Sequence, residues 1–267
     1  MRLLVTGGAG YLGSDVAARA QAQGWDVHAS WLSARPPDGR PLRLDVRDEA
    51  AVARCLMRLG PQVVIHTAYR QADAEVWDAV VKGTHNVALA CARAGARLVH
   101  LSSDLVFDGE REGRYAEDDE PRPASLYGRA KLAAERLVAE LVPAAAIVRT
   151  SLLYGKAEPG PQERLAARAD VAFYIDEIRC PTVVGELAEA LLELAVREDV
   201  SGPLHVAGPD AVSRYELARL LAPDPAAVRA AEAPHGARPR NLALDCSRAA
   251  GLLRTRLRGV KEVLRPL

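Results

Sequence analysis

Apolar residues in this chain follow two rhythms. Runs of five to seven residues, RLLVT (2–6), DVHAS (26–30), PLRLDV (41–46), QVVIHTA (62–68), ARLVHLS (96–102) and AAIVRTS (145–151), have the composition and length of buried strands. Between them, YLGSDVAARAQAQG, RDEAAVARCLMRLG, VWDAVVKGTHNVALACARAG and SLYGRAKLAAERLVAEL repeat apolar positions at helical spacing, and three of the four close on Gly, the residue preferred just past a helix end. Strand and helix in strict alternation predict an α/β fold, a Rossmann-type doubly wound parallel sheet with crossover helices. After residue 151 the rhythm loosens through the polar, Pro- and Gly-bearing GKAEPGPQERLAARAD. The expected organisation is a dinucleotide-binding domain over 1–152 and a small C-terminal mixed α/β substrate cap over 153–267. Part of the latter, about 176–208, is expected to return to the main domain, with GPLHVAG (202–208) as its strand.

In such a sheet, ligands sit at the carboxyl ends of the strands. The first of these ends reads VTGGAGYLG, with Gly7, Gly10 and Gly13 three apart, directly after a strand and opening a helix. Glycine suits a tight turn, close approach of backbone to a pyrophosphate and close helix–strand packing; the helix opening at Tyr11 and Leu12 then faces the anion. A plain glycine turn is the alternative. At the end of the second strand, HASWLSARP has no acid between residues 28 and 37, where NAD-binding chains commonly carry a carboxylate for the ribose 2′-hydroxyl. Ser30, Ser33 and Arg35 favour NADP(H) over NAD(H), with Arg35 as charge partner for a 2′-phosphate; otherwise Arg35 is an exposed loop arginine.

The fifth run ends in LSSDLVFDG, placing Ser102 and Ser103 where a strand gives way to the ligand-facing edge. The hydroxyls either contact a ligand or cap a turn. In YGRAK, Tyr127 and Lys131 lie four apart on one helix face, so an ammonium is expected near a phenol, lowering its pKa and making it a usable proton donor.

Composition narrows the partners. The 267 residues are 49% apolar, enough for a full core, and Lys plus Arg equals Asp plus Glu at 35 each, which leaves no whole-chain footprint for nucleic acid or an anionic membrane. No run approaches the ~18 apolar residues of a membrane span, so a cytoplasmic location is expected. Cys55, Cys91, Cys180 and Cys246 are far apart with no C-x-x-C pair, reading as free thiols with no metal site.

VTGGAGYLG, LSSDLVFDG and YGRAK, in this order and spacing, resemble the extended short-chain dehydrogenase/reductase family over almost the whole chain. SSDLVFDG, SLYGRAKLAAE and RPRNLALDCS look most like its dTDP-4-dehydrorhamnose reductase-like branch, which includes the regulatory β subunit of methionine adenosyltransferase. The resemblance implies a catalytic set: Ser103 bonding a substrate carbonyl, Tyr127 protonating it, and Lys131 holding the cofactor's ribose, with hydride from the nicotinamide. It also implies Asp45 and Val46 at the adenine, with Asp45 alternatively capping the next helix, and Thr67, Ala68 and Tyr69 along the cofactor, with His66 packed in the strand end. For the substrate it implies a nucleotide-linked sugar ketone, with Arg179, Arg238 and Arg240 as candidates for its diphosphate and Asp104 as a contact. Asp104 and Asp108 are equally candidates for turn formers.

Two positions depart from the pattern: Val80 stands where an asparagine supporting the active-site helix is usual, and Leu152 stands where a tryptophan is typical. These keep open a non-catalytic NADP(H)-binding regulatory subunit acting on a partner protein. A 4-epimerase with retained NAD uses the same triad. A 4,6-dehydratase is disfavoured, because Asp104 is followed by Leu105 rather than Glu. A homodimer is compatible with the resemblance.

Overall fold

The computed structural model describes residues 1–69, 75–234 and 238–264. Seven strands form one parallel sheet: β1 (Arg2–Thr6), β2 (Asp26–Trp31), β3 (Arg40–Arg43), β4 (Val63–His66), β5 (Arg97–Leu101), β6 (Ala146–Arg149) and β7 (Gly202–His205), in the order β7-β6-β5-β4-β1-β2-β3. The order reverses between β1 and β4, so a crevice opens there at the strands' carboxyl ends. The expected doubly wound fold is present, and β7 is indeed the GPLH segment, paired in parallel with β6.

Crossover helices cover both faces. On one side α1 (Tyr11–Ala22) presents Leu12, Val16, Ala17 and Ala20 to the sheet and packs beside α6 (Val184–Ala195), whose buried face includes Leu187, Leu191 and Leu194. On the other side lie α2 (Glu49–Leu59), α3 (Gly83–Ala94) and α4 (Leu126–Leu141). Asp48 caps α2 by accepting from Ala51 N–H at 2.9 Å. The cap expected of Asp45 is therefore displaced three residues on, because Asp45 chelates Arg47 instead. The helix expected from residue 76 onward opens with a π-turn, Asp78–Lys82, in which Val80 is buried against Val76, Ala130 and Ala134.

The cap is built from short pieces. Leu153–Tyr154 pairs with Thr182–Val183, Ala172–Tyr174 with Arg229–Ala231, and Ile178–Arg179 with Val212–Ser213. Helices α5 (Pro161–Ala166) and α7 (Arg214–Leu221) pack around Ala166, Phe173 and Ala218, and α7 starts at a capping box between Ser213 and Glu216.

One polar assembly crosses the core. Arg149 on β6 forms a two-pronged ion pair with Glu135 on α4, at 2.8 and 3.0 Å, and Ser102 Oγ donates to the same carboxylate. Both charged residues are under 5% exposed. Removing one partner from a buried pair strands the other charge. Glu135→Leu should therefore lower the unfolding free energy by about 3–5 kcal/mol, read from the urea midpoint; a loss under about 1 kcal/mol, the range of surface pairs, would show the pair to be dispensable.

Candidate active site

The glycine turn after β1 is forced by its neighbours. Gly7 has φ +70, and a Cβ there would stand 2.8 Å from Ala68 Cα. A Cβ on Gly13 would collide with the Gly7 carbonyl, and one on Gly8 would lie 2.7 Å from Ala29 Cβ. Gly8 was not singled out by the spacing, although β2 leaves it no more room than the others. Gly10 caps α1 without a side chain, and no acid stands in the first turn, so the N–H groups of Tyr11 and Leu12 offer an anion site.

A cavity of about 270 Å³ lies beside this turn, lined by Gly7, Gly10, Ser30, Ser33, Asp45, Val46, Arg47, Thr67, Ala68 and Tyr69 among others. Its glycine cradle, open helix end and apolar pocket at Leu44 and Val46 suit a dinucleotide. Ser30 Oγ accepts from Gly7 N–H at 3.3 Å and so braces the turn. Asp45 is the sole carboxylate among the described lining residues, and Arg47 holds it at 2.8 and 3.0 Å while also reaching Glu75 at 2.9 Å. Arg35 is exposed and does not line this cavity. Arg47, missed in the sequence, does; its only signal was its place two residues after Asp45.

A second cavity, about 390 Å³, shares Gly10, Thr67 and Tyr69 with the first and continues across the ends of β5 and β6. Tyr11, Leu12, Gly13, Ser103, Asp104, Tyr127, Lys131, Arg179 and Arg238 all line it, so these expected site residues converge. The serine pair divides. Both line the cavity, but the Ser102 hydroxyl is held by Glu135, whereas Ser103 accepts from Leu105 N–H at 3.2 Å and donates to Asp104 Oδ1 at 3.1 Å. Ser103 thus caps the turn Asp104–Val106 and lines the cleft as well.

Ser125 caps α4 through Gly128 N–H at 3.0 Å, which sets the rotation that turns Tyr127 and Lys131 inward. A Cβ on Gly128 would collide with the Leu105 carbonyl, so the helix lies directly on the serine turn. Lys131 is 4% exposed and donates to the Leu101 carbonyl at 2.8 Å. Its Nζ lies 5.8 Å from the Tyr127 ring centroid and 5.7 Å from that of Tyr69. Burial lowers its pKa to about 8, with Glu135 pulling the other way. The phenol departs from expectation: burial, then Tyr69 and Asp104, hold Tyr127 well above its ordinary value, and the lysine does not offset them. Lys131, its pKa lowered by burial to about 8, has already lost its charge at the pH where this phenol would ionise.

The outer wall is a charge cluster. Arg179 is buried between Asp104 and Glu177, both at 3.0 Å, and Ser151 donates to Asp104 at 2.6 Å. Arg238 approaches Glu177 at 3.5 Å and lies over Tyr174. Arg214, which opens α7, also lines the cavity and donates to Gln162 at 2.7 Å; burial lowers its pKa. Four cations, Lys131, Arg179, Arg214 and Arg238, thus face two carboxylates, Asp104 and Glu177, along this lining. Arg214 and Glu177 were missed in the sequence, where nothing separated them from surface charges. Arg240 is half-exposed beside Asp176 at 3.7 Å and does not line the cavity. Asp108 serves a turn, accepting from Tyr115 and from Glu110 N–H. His66 is buried between Thr6 and Thr84, and burial drives its pKa to about 3. Leu152 lines the cavity. All four cysteines are free, and no metal-ligating cluster occurs among the described residues. No helix among these residues is long and apolar enough to cross a membrane.

The family profile described as "RmlD substrate binding domain" matches residues 1–266. The chain is 39% identical to dTDP-4-dehydrorhamnose reductase of Mycobacterium tuberculosis over 259 residues, covering 89% of this chain and 81% of that protein. It is 31% identical to methionine adenosyltransferase 2 subunit beta of Xenopus laevis, covering 99% and 87%. The crystal structure of dTDP-4-dehydrorhamnose reductase from Bacillus anthracis in complex with NADP superposes with a TM-score of 0.82 at 26% identity, covering 98% of this chain and 96% of that one.

The lysine carries a measurable signature. From about pH 8 to about 10.5 the unfolded chain keeps a proton on Lys131 that the folded chain has released, so folding gains stability as pH rises through that window. Lys131→Met lacks this linkage. The unfolding free energy of wild type minus that of Lys131→Met should rise by on the order of 3 kcal/mol across the window; a flat difference would mean that the ammonium is not desolvated.

Proposed function

Because this chain belongs to the RmlD substrate binding domain family, we propose that it is an NADP(H)-dependent reductase of a 4-keto nucleotide sugar, close in kind to dTDP-4-dehydrorhamnose. The observation that carries the reading is the convergence of Ser103, Tyr127 and Lys131 on one cavity that adjoins the glycine turn. The bound dinucleotide would supply hydride to the carbonyl carbon, and the chain's task is then to hold the carbonyl and deliver a proton to its oxygen.

Tyr127 is suited to that delivery in the form burial favours. Reduction needs a phenol that starts protonated, and the buried hydroxyl beside Tyr69 and Asp104 stays so. Once its proton moves to the carbonyl oxygen, the phenolate left behind is stabilised by the nearby ammonium of Lys131, which Leu101 keeps from straying. Ser103 can turn its hydroxyl from Asp104 to the carbonyl at little cost, since Asp104 retains Ser151 and Arg179. Arg179, Arg214 and Arg238 supply the positive excess that a diphosphate requires.

NADPH is favoured over NADH because residues 28 to 37, at the end of β2, hold no carboxylate, and the one carboxylate among the described lining residues of the first cavity, Asp45, is neutralised by Arg47. The relative from Bacillus anthracis was crystallised with NADP. A second reading, cofactor binding without turnover, draws on Val80, buried among apolar side chains where a polar residue is usual, and on the likeness to the adenosyltransferase subunit.

The purified protein should oxidise NADPH, in preference to NADH, when given dTDP-4-dehydrorhamnose. Tyr127→Phe should cut turnover by about 10²–10⁴-fold while leaving NADPH affinity within about twofold. Unchanged turnover in the variant would refute the assigned proton donor, and tight NADPH binding with no oxidation would favour the second reading.

A further inference from the structure

The C-terminal part of the chain reaches back to the opening of α1 through a strap. Between Tyr154 and Pro161 the chain crosses the helix's first turn, with Lys156 N–H donating to the Tyr11 hydroxyl at 3.1 Å. The Lys156 ammonium donates to Ser14 Oγ at 2.7 Å and lies 5.1 Å from the Tyr11 ring centroid. Ser14 Oγ in turn donates to the Gly10 carbonyl at 2.8 Å, within the glycine turn. Gly160 is seated so closely that a Cβ there would come within 2.5 Å of Tyr11 Cζ, and Gly155 N–H is held by Glu163 at 2.7 Å. The strap then enters the second cavity as Pro161, Gln162 and Leu165.

The charges make the position of the lysine informative. The N-terminus of α1 carries the positive end of the helix dipole, and its first turn contains no acid to offset it. A partly buried ammonium beside that end is repelled by it, and Lys156 forms no ion pair among the described residues. Of the carboxylates on adjoining turns, Asp15 pairs with Arg19, and Glu163 accepts from Gly155 N–H through one oxygen while the other is buried with no hydrogen-bond partner. Two positive features brought together by close backbone packing become mutually favourable when an anion joins them.

We propose that Lys156 is a cofactor-binding residue, supplying from the cap the cation that meets the dinucleotide's diphosphate at the opening of α1. The inference rests on the reading of the first cavity as a dinucleotide site and is independent of any sugar substrate. Lys156 lines neither cavity with its ammonium on Ser14, so binding requires its flexible four-carbon stem to swing the charge toward the helix opening. The strap thereby joins the diphosphate to the wall that carries Gln162 and Arg214.

The test is NADPH binding, followed by nicotinamide fluorescence at low and high salt, for the full chain and for Lys156→Arg, Lys156→Met and Lys156→Glu. Arg should bind within about twofold of wild type. Met should weaken binding by about tenfold with a shallower salt dependence, and Glu should weaken it further. Melting temperatures measured without cofactor separate charge from mere latching. Wild-type affinity in Met and Glu, or an equal loss in both matched by a fall in melting temperature, would overturn the proposal. Failure of wild type to bind either NADPH or NADH would instead remove the dinucleotide reading, and this inference with it.

Discussion

The site depends on one buried hydrogen bond, from the Lys131 ammonium to the Leu101 carbonyl at 2.8 Å. It ties the end of β5 to α4 at the point where the sheet meets the cleft, and so fixes the helix that carries Tyr127 against the strand that delivers Ser103. A second tie lies one helical turn behind it, where Glu135 takes Ser102, just past the end of β5, and Arg149 from β6. The two serines, both on the cavity lining, divide the labour by their partners: the Ser102 hydroxyl goes to the Glu135 carboxylate and the Ser103 hydroxyl to Asp104.

These ties are costly as well as useful. An ammonium and a carboxylate–guanidinium pair are removed from water in the middle of the fold, and burial acts against the lysine's charge. A buried ammonium beside a phenol that burial keeps protonated is a poor arrangement for stability and a good one for donating a proton to a developing alkoxide. The outer cluster follows the same logic: Arg179 pairs with two carboxylates yet keeps its Nε buried with no hydrogen-bond partner, and four cations facing two carboxylates leave the wall with an excess of positive charge. The fold concentrates poorly solvated charge where a charged ligand can repay it.

Local chemistry made much of this legible. The glycine turn, the hydroxyl-ended strand and the Tyr127–Lys131 spacing each require particular residue types within a few positions, so the sequence displays them directly. The two cavities adjoin at the carboxyl ends of the strands, sharing Gly10, Thr67 and Tyr69. What was hidden depends on distant neighbours. Gly8 is constrained by Ala29 on β2, Arg214 gains meaning only when α7 folds over Gln162, and Lys156 meets Ser14 from 142 positions further along the chain. The cap on α2 passes from Asp45 to Asp48 because Arg47 competes for the first carboxylate. The phenol is not lowered as the spacing implies, because spacing gives a shared face but not the burial that raises the phenol and lowers the lysine.

The central claim, that the cleft brings a sugar ketone to a nicotinamide and completes its reduction there, is tested most directly by following the hydride. NADPH deuterated at the transferable position would be incubated with the protein and dTDP-4-dehydrorhamnose, and the product examined by NMR. The account predicts deuterium at C4 of the sugar in a single configuration. Bound cofactor that retains its deuterium, with the ketone unchanged, would contradict it.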